Sequence, residues 1–342
     1  MVTSLLLFTF FMGLAFGSKM DYEREFPDYQ KMRAYLGELY QQKKYKDAAE
    51  LLEWAKERFP NNVLANAYNL AIMYCHLEEY EKGLVALEYA LDRGVWFGLY
   101  FFENETWKPL KEQKGFKKIW DRNAMLKQEA QKKAKPELLV ITPEDFNPEK
   151  TYPLFIALHG GSENMETFKN SWKSQKMWKE FITAYPQSSQ LISMNGFWWH
   201  GDIELAKREI GDAYQKVVSE YPVDRENVII GGFSSGGVAA LEVVLDNTLP
   251  VKGFIVLCPD WPESFTAERV RDVKNRGIRG FLITSEMDER LPSHKKMTET
   301  FKDEGLPHQF IVIPKIGHTY PEDLDKKIDQ AIDYIREVRI IE

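Results

Sequence analysis

Three residues of this 342-residue chain carry side chains that together could run nucleophilic catalysis. Ser234 sits in Gly232-Phe233-Ser234-Ser235-Gly236, a G-x-S-x-G pentapeptide entered by the β-branched run Val228-Ile229-Ile230 and left through small residues up to Ala240. That setting reads as strand, tight turn, helix, which is the context this pentapeptide requires. A serine on so tight a turn has strained backbone angles, and its hydroxyl clears the sheet edge only where the flanking residues are nearly bare. The following helix aims its first N–H groups at the place where a developing oxyanion would sit. A serine hydroxyl needs a base to take its proton, and the base needs a carboxylate to fix its tautomer. His318 follows Pro314-Lys315-Ile316-Gly317, just past the last expected strand, and Asp288 follows Thr284-Ser285-Glu286-Met287, just past the strand before it. We assign Ser234 as nucleophile, His318 as base and Asp288 as the orienting acid.

Other residues of the same types compete for these roles. Of the six histidines, His76 lies in a helical front region and His159 belongs to a His159-Gly160-Gly161-Ser162 turn, where its expected role is to hold the loop. His294 on a surface helix and His308 at a strand start are expected to be solvated, while His200 could border the pocket. Asp260, Glu286 and Glu289 are rival acids. The Ser235 side chain is expected to face away from the base. Gly196-Phe197-Trp198-Trp199 lies at a strand end on the catalytic side, so Trp198 and Trp199 could form an aromatic wall for an apolar or sugar-linked ester. Equally, one of the two could be core and the other a loop anchor, and Asp260-Trp261-Pro262 invites the same choice.

These residues need a frame that brings strand ends together. From Glu137 onward strands alternate with helices, which predicts a largely parallel sheet covered on both faces. Strands are expected at Leu138–Thr142, Tyr152–Leu158, Leu191–Met194, around Val228, Gly253–Leu257, Gly280–Thr284 and Gln309–Ile313. Helices are expected over Ile203–Tyr221, from the serine turn to Leu245, Pro292–Glu304 and Pro321–Val338. All three candidate residues then fall at carboxyl ends of strands, the rim where open α/β sheets place ligands.

The serine turn, the His159-Gly160-Gly161 turn and the chain order Ser, Asp, His resemble the α/β-hydrolase fold. The likeness runs from about Glu137 to the C-terminus and is closest to small esterases related to feruloyl esterases, polyhydroxybutyrate depolymerases and dienelactone hydrolases. The resemblance implies the same three roles for Ser234, Asp288 and His318, an oxyanion hole made by the backbone N–H groups of Gly161 and Ser235, and no metal or cofactor. Some members of the wider fold carry the acid at the place of Asp260. A peptidase of the prolyl-oligopeptidase-like branch is the neighbouring alternative, although its front domain is usually larger than two helical repeats. A helical-repeat adaptor on an inactive scaffold is a third reading, opposed by the retention of all three residues.

From about Asp28 to Phe97 the apolar spacing is helical. Tyr45-x-x-Ala48-x-x-x-Leu52-x-x-Ala55 recurs as Tyr80-x-x-Gly83-x-x-x-Leu87-x-x-Ala90, an offset of about 35 residues that resembles tetratricopeptide repeats. Two such units leave a face that either Thr106–Lys135 or the next domain must cover. The region is expected to be a packing cap, with a peptide or protein partner as the alternative. The aromatic stretch Trp96 to Phe102 reads as a seam between the repeats and the next element. Leu5 to Phe16 is apolar and Ala15-Phe16-Gly17 offers small residues before Ser18, so residues 1–17 read as a cleaved signal peptide of a secreted or periplasmic protein, although no Lys or Arg precedes the run. The expected organisation is therefore 1–17 leader, 18–135 helical and 136–342 catalytic. The net charge of −7 argues against nucleic acid and against an anionic membrane surface. Cys75 and Cys258 lie in separate apolar contexts and are expected to be buried free thiols.

Overall fold

A computed structural model describes residues 21–103 and 105–337. The expected leader, with its cleavage point at Gly17/Ser18, lies outside the described residues. The described residues form two compact units, one of residues 21–95, 103 and 105–120 and one of residues 96–102 and 121–337. Among the described residues no helix is long and apolar enough to cross a membrane.

The first unit holds α1 (Tyr22–Glu25), α2 (Tyr29–Gln41), α3 (Tyr45–Arg58), α4 (Val63–His76), α5 (Tyr80–Asp92) and α6 (Lys108–Lys111), and α7 (Phe116–Lys133) begins in it. The Asp28 carboxylate starts α2 by accepting the Lys31 N–H. Helices α2–α3 and α4–α5 are two hairpins offset by about 35 residues. Their turns match in detail. Lys43 (φ 55°) and Glu78 (φ 59°) both take left-handed backbone just past a helix end. The Lys44 and Lys43 N–H groups donate to the Leu39 and Tyr40 carbonyls (2.9 and 3.0 Å), and those of Glu79 and Glu78 donate likewise to Tyr74 and Cys75 (2.9 and 3.2 Å). This is one helix stop used twice. The small residues of the repeated pattern, Ala48, Ala55, Gly83 and Ala90, are all buried between helices. The outer face is covered by Glu105–Lys111, where Trp107 and Leu110 are fully buried.

The division between the two compact units falls within α7, after Trp120. The second half of that helix is fastened within the second unit by two side-chain amides, Asn123, which is buried, and Gln131, which is half-buried. Asn123 accepts the Phe97 N–H (2.6 Å) and donates to the Phe97 carbonyl (3.0 Å). Gln131 donates to the Ser189 carbonyl (2.8 Å) and accepts the Leu191 N–H (2.9 Å). Trp96, Phe97 and Phe102 of the expected seam are buried, and they belong to this second unit.

The second unit is built on β1 (Glu137–Ile141), β2 (Tyr152–Leu158), β3 (Ile182–Gln187), β4 (Leu191–Ser193), β5 (Gly196–Phe197), β6 (Val223–Phe233), β7 (Gly253–Leu257), β8 (Arg279–Ser285) and β9 (His308–Ile313). Seven of them form a sheet in the order β1-β3-β2-β6-β7-β8-β9, parallel except for β1, while β4 and β5 form a small hairpin. The strand expected at Leu191–Met194 is thus a hairpin arm, and the sheet strand there is β3. β3 pairs with β2 only over Ile182–Ala184, and its Pro186 lies beyond that ladder, opposite Leu138 of β1.

Seven helices cover the sheet: α8 (Met165–Ser171), α9 (Gln175–Glu180), α10 (Ile203–Glu220), α11 (Ser235–Leu245), α12 (Ala267–Asn275), α13 (Leu291–Asp303) and α14 (Leu324–Arg336). Alternation along the strands feeds two cores. Leu154, Ile156 and Leu158 pack with Val228, Ile230 and Val256 beneath α10 to α13, while Phe155, Ala157, Ile229, Ile255 and Phe281 pack beneath α8, α9 and α14. Every residue of α11 is buried, which its small side chains permit.

The matched helix stops give a test of the repeat. Glycine is the residue best suited to left-handed backbone after a helix, so Lys43→Gly and Glu78→Gly are each expected to stabilise the protein by about 0.5–1 kcal/mol. Urea unfolding measures this, and a loss of stability in either variant would contradict the shared turn.

Candidate active site

The site begins with a backbone constraint. Ser234 closes the turn from β6 into α11 with φ 51° and ψ −116°, a strained combination for a residue with a side chain. The neighbours show why glycine flanks it. A Cβ on Gly236 would lie 2.2 Å from the Leu158 carbonyl oxygen, and one on Gly232 would lie 2.6 Å from the same atom. The ends of β2 and β6 and the start of α11 therefore converge where no side chain fits. The Ser234 N–H is tied to the Leu257 carbonyl at the end of β7 (2.9 Å).

The three candidate residues meet. Ser234 Oγ lies 2.8 Å from His318 Nε2, and His318 Nδ1 lies 2.7 Å from Asp288 Oδ2. Asp288 is buried, whereas His318 is exposed. Burial opposes charge on Asp288, but the Arg290 N–H (2.9 Å to Oδ1), the His318 imidazole and the Cys258 thiol outweigh it and hold its pKa at about 2. An ionised Asp288 can only accept, so Nδ1 of His318 carries a proton and Nε2 of the neutral ring is free to accept from Ser234.

Gly161 and Ser235 lie side by side next to the serine turn. A Cβ on Gly161 would stand 3.8 Å from that of Ser235, and the Ser235 N–H belongs to the first turn of α11, which has no intrahelical acceptor for it. The Ser235 hydroxyl accepts the Trp199 backbone N–H (2.8 Å). Behind Gly161, His159 is wholly buried. Burial pushes its pKa down to about 4, against the bond that Nδ1 makes with the Gly160 carbonyl (2.8 Å). Its Nε2 accepts the Ser188 N–H (3.3 Å), which leaves Nδ1 as the protonated nitrogen. The Gly160 carbonyl and the Gly161 N–H share one peptide plane and point oppositely. Fixing the carbonyl therefore aims the N–H.

Several expectations resolve differently. Trp199 is fully buried in the core beside His159 (ring centroids 5.0 Å) and offers no surface to a substrate, while Trp198 is half-buried. Of the two open readings, core and loop anchor is the one for Trp199. His294 is not solvated: α13 turns it inward, where it lies 2.6 Å from both the Thr284 hydroxyl and the Pro259 carbonyl, and burial lowers its pKa. Asp260 is paired with the Arg290 guanidinium rather than with His318. His76 stacks on Tyr45 in the first unit (4.2 Å).

Sequence reasoning missed Glu163, Tyr320 and Cys258. The Glu163 carboxylate accepts the Gly160 N–H (2.7 Å) and the Tyr320 hydroxyl (2.8 and 2.7 Å to its two oxygens). Burial raises its pKa, while its bonds to Tyr320 and Gly160 pull the other way. Each of these residues sits within two positions of a recognised one or directly after a strand, and that adjacency was the available signal. Cys258, Asp288 and His318 also have donor atoms within 4.8 Å of one another, a set of metal-ligand types. Burial, followed by the Asp288 carboxylate, pushes the thiol up to about 12, so Cys258 stands as a protonated thiol beside that carboxylate. The facing atoms of the other two are hydrogen-bonded to each other.

A parallel sheet wound by helices on both faces, with a strained serine turn at the end of a central strand, defines an α/β hydrolase. Residues 152–336, more than half the chain, match the phospholipase/carboxylesterase model, and the protein belongs to that family. No curated protein matches the sequence. Among solved structures, the chain is similar to an uncharacterized protein from Bacillus cereus at 26% identity, covering 90% of this chain and 98% of that one with a TM-score of 0.49. It is also similar to a feruloyl esterase module from Clostridium thermocellum, a variant complexed with sinapinate (21% identity, 59% and 83% covered, TM-score 0.48). An S-formylglutathione hydrolase from Staphylococcus aureus matches at 17% identity, with 58% and 92% covered and a TM-score of 0.43.

The depressed pKa of Asp288 has a consequence for acid stability. An unfolded aspartate titrates near pH 4, so the stability this carboxylate contributes is complete above about pH 4 and is lost as pH falls toward about 2. Urea midpoints measured across that range should fall more steeply for the wild type than for Asp288→Asn. Parallel curves would contradict the buried, ionised carboxylate.

Proposed function

We propose that this protein is a serine hydrolase that cleaves carboxylic esters through an acyl-enzyme. The observation that carries the reading is the unbroken hydrogen-bond chain Ser234–His318–Asp288 at 2.8 and 2.7 Å. In the proposed first step Ser234 Oγ attacks the ester carbonyl carbon while His318 Nε2 takes its proton. The carbonyl oxygen becomes an oxyanion between the N–H groups of Gly161 and Ser235, each worth about 3 kcal/mol of barrier. Collapse breaks the bond to the alcohol, which leaves with the proton returned from His318. Water then repeats the sequence on the acyl-serine, releasing the carboxylic acid and restoring Ser234. Asp288 stabilises the transient imidazolium and does not itself take the proton.

The substrate proposed is a small or saccharide-linked ester, with half-buried Trp198 as a stacking surface. We extend the proposal to residues 1–17 as a cleaved export leader and to the helical hairpins as a tetratricopeptide-like packing module. Sequencing the N-terminus of exported protein should give Ser18, and an intact Met1 would remove the leader from the reading.

The central test is labelling by a fluorophosphonate, which reacts with activated serines. Wild type should label and Ser234→Ala should not; equal labelling would end the assignment. On an activated ester, Asp288→Asn should lower kcat by about 10⁴-fold, while Asp260→Asn, which removes only a partner of Arg290, should change it by less than about tenfold. The opposite order would move the acid to Asp260.

A further inference from the structure

We propose that Glu163 and Tyr320 form a clamp that sets the oxyanion hole against the base, so that Glu163 is a positioning residue for the hydrolysis. The inference rests on the esterase reading and goes beyond its three named side chains. Glu163 stands at the end of the His159–Ser162 turn, and Tyr320 stands two residues after His318. The two segments carry the two halves of the chemistry. One carboxylate joins them, since Glu163 Oε2 accepts both the Gly160 N–H (2.7 Å) and the Tyr320 hydroxyl (2.7 Å), and Oε1 accepts the same hydroxyl (2.8 Å). Phe233, next to the nucleophile, packs on both His318 and Tyr320 (ring centroids 4.9 and 4.4 Å).

The turn is held from three directions. His159 fixes the Gly160 carbonyl (2.8 Å), Glu163 fixes the Gly160 N–H, and the backbone of Ser162 and Glu163 pairs with Phe197 (2.9 and 2.8 Å). Gly160 is thus pinned at both its polar groups, and the direction of the Gly161 N–H follows. Of these restraints, the Glu163 carboxylate alone also reaches the His318 segment. Without it the oxyanion donor and the base are set by separate parts of the fold, and a misplacement of about 1 Å between such groups costs about 10²-fold in rate.

The test compares wild type, Glu163→Leu, Tyr320→Phe and the double variant by ester kinetics and by the rate of fluorophosphonate labelling. Tyr320→Phe removes one hydroxyl and keeps the ring on Phe233, so it remains informative if Glu163→Leu folds poorly. Each folded single variant should lose about 10- to 100-fold in kcat with KM within about threefold, and labelling should slow in parallel because the phosphonyl oxygen enters the same hole. The double variant should be no slower than the slower single one. Tyr320→Phe within about twofold of wild type, or losses that multiply in the double variant, would overturn the clamp. The underlying reading fails differently: a wild type that neither labels nor hydrolyses esters ends the esterase assignment itself, whereas labelling wild type with equally fast variants ends the clamp alone.

Discussion

Ser234 adopts its strained backbone because three chain segments crowd together with no Cβ between them. The Leu158 carbonyl at the end of β2 lies where side chains on Gly232 and Gly236 would be, and the Leu257 carbonyl takes the Ser234 N–H. The strain is local, and its support is spread across the sheet. Register fixes Leu158 beside Gly232 and Leu257 beside Phe233, so the turn is held by the same ladders that make the core. Both cores press on these strands from opposite faces, which leaves the turn little room to relax. The serine is therefore presented by strands packed on both faces, while its partners arrive on the connections after β8 and β9.

Charge is arranged around that turn with the same economy. Asp288 is buried and nevertheless ionised, because its oxygens meet the Arg290 N–H, the His318 imidazole and the Cys258 thiol. Arg290 also spans outward to Asp260 and Glu289, so the more exposed carboxylates are satisfied by its guanidinium and do not compete for His318. This explains why three acids near one rim do not share one role. Position along the strand is less decisive than what each carboxylate touches.

Much of this was legible in the sequence, for a definite reason. Ser234, Asp288 and His318 each follow an apolar run at the carboxyl end of a strand, and a parallel sheet gathers such ends along one rim. Orientation around a short element was not legible. Trp198 and Trp199 are adjacent and chemically alike, and it is the folded chain that turns the Trp199 ring inward against His159. His294 was expected on an outer face because α13 is polar overall, yet two buried acceptors and donors draw it in. The long-range ties of α7 were not legible either, since a lysine-rich helix end reads like a linker. Its hold on the second unit depends on two amides, Asn123 and Gln131, whose partners lie 26 to 60 residues away.

His159 and His318 show how environment sorts identical side chains on one rim. His159 is sealed in, and burial holds it neutral with Nδ1 committed to the Gly160 carbonyl and Nε2 to the Ser188 N–H. Ser188 is itself braced by the buried Glu209 carboxylate of α10. Neither nitrogen of His159 is available to a substrate, so the ring acts as a fixed dipole that aims a peptide plane. His318 has one nitrogen committed to Asp288 and the other facing Ser234 from an exposed position. The proposed hydrolysis would need one ring with both nitrogens committed, to hold the turn, and one with a nitrogen facing the serine, to move its proton; the two environments suit these proposed roles.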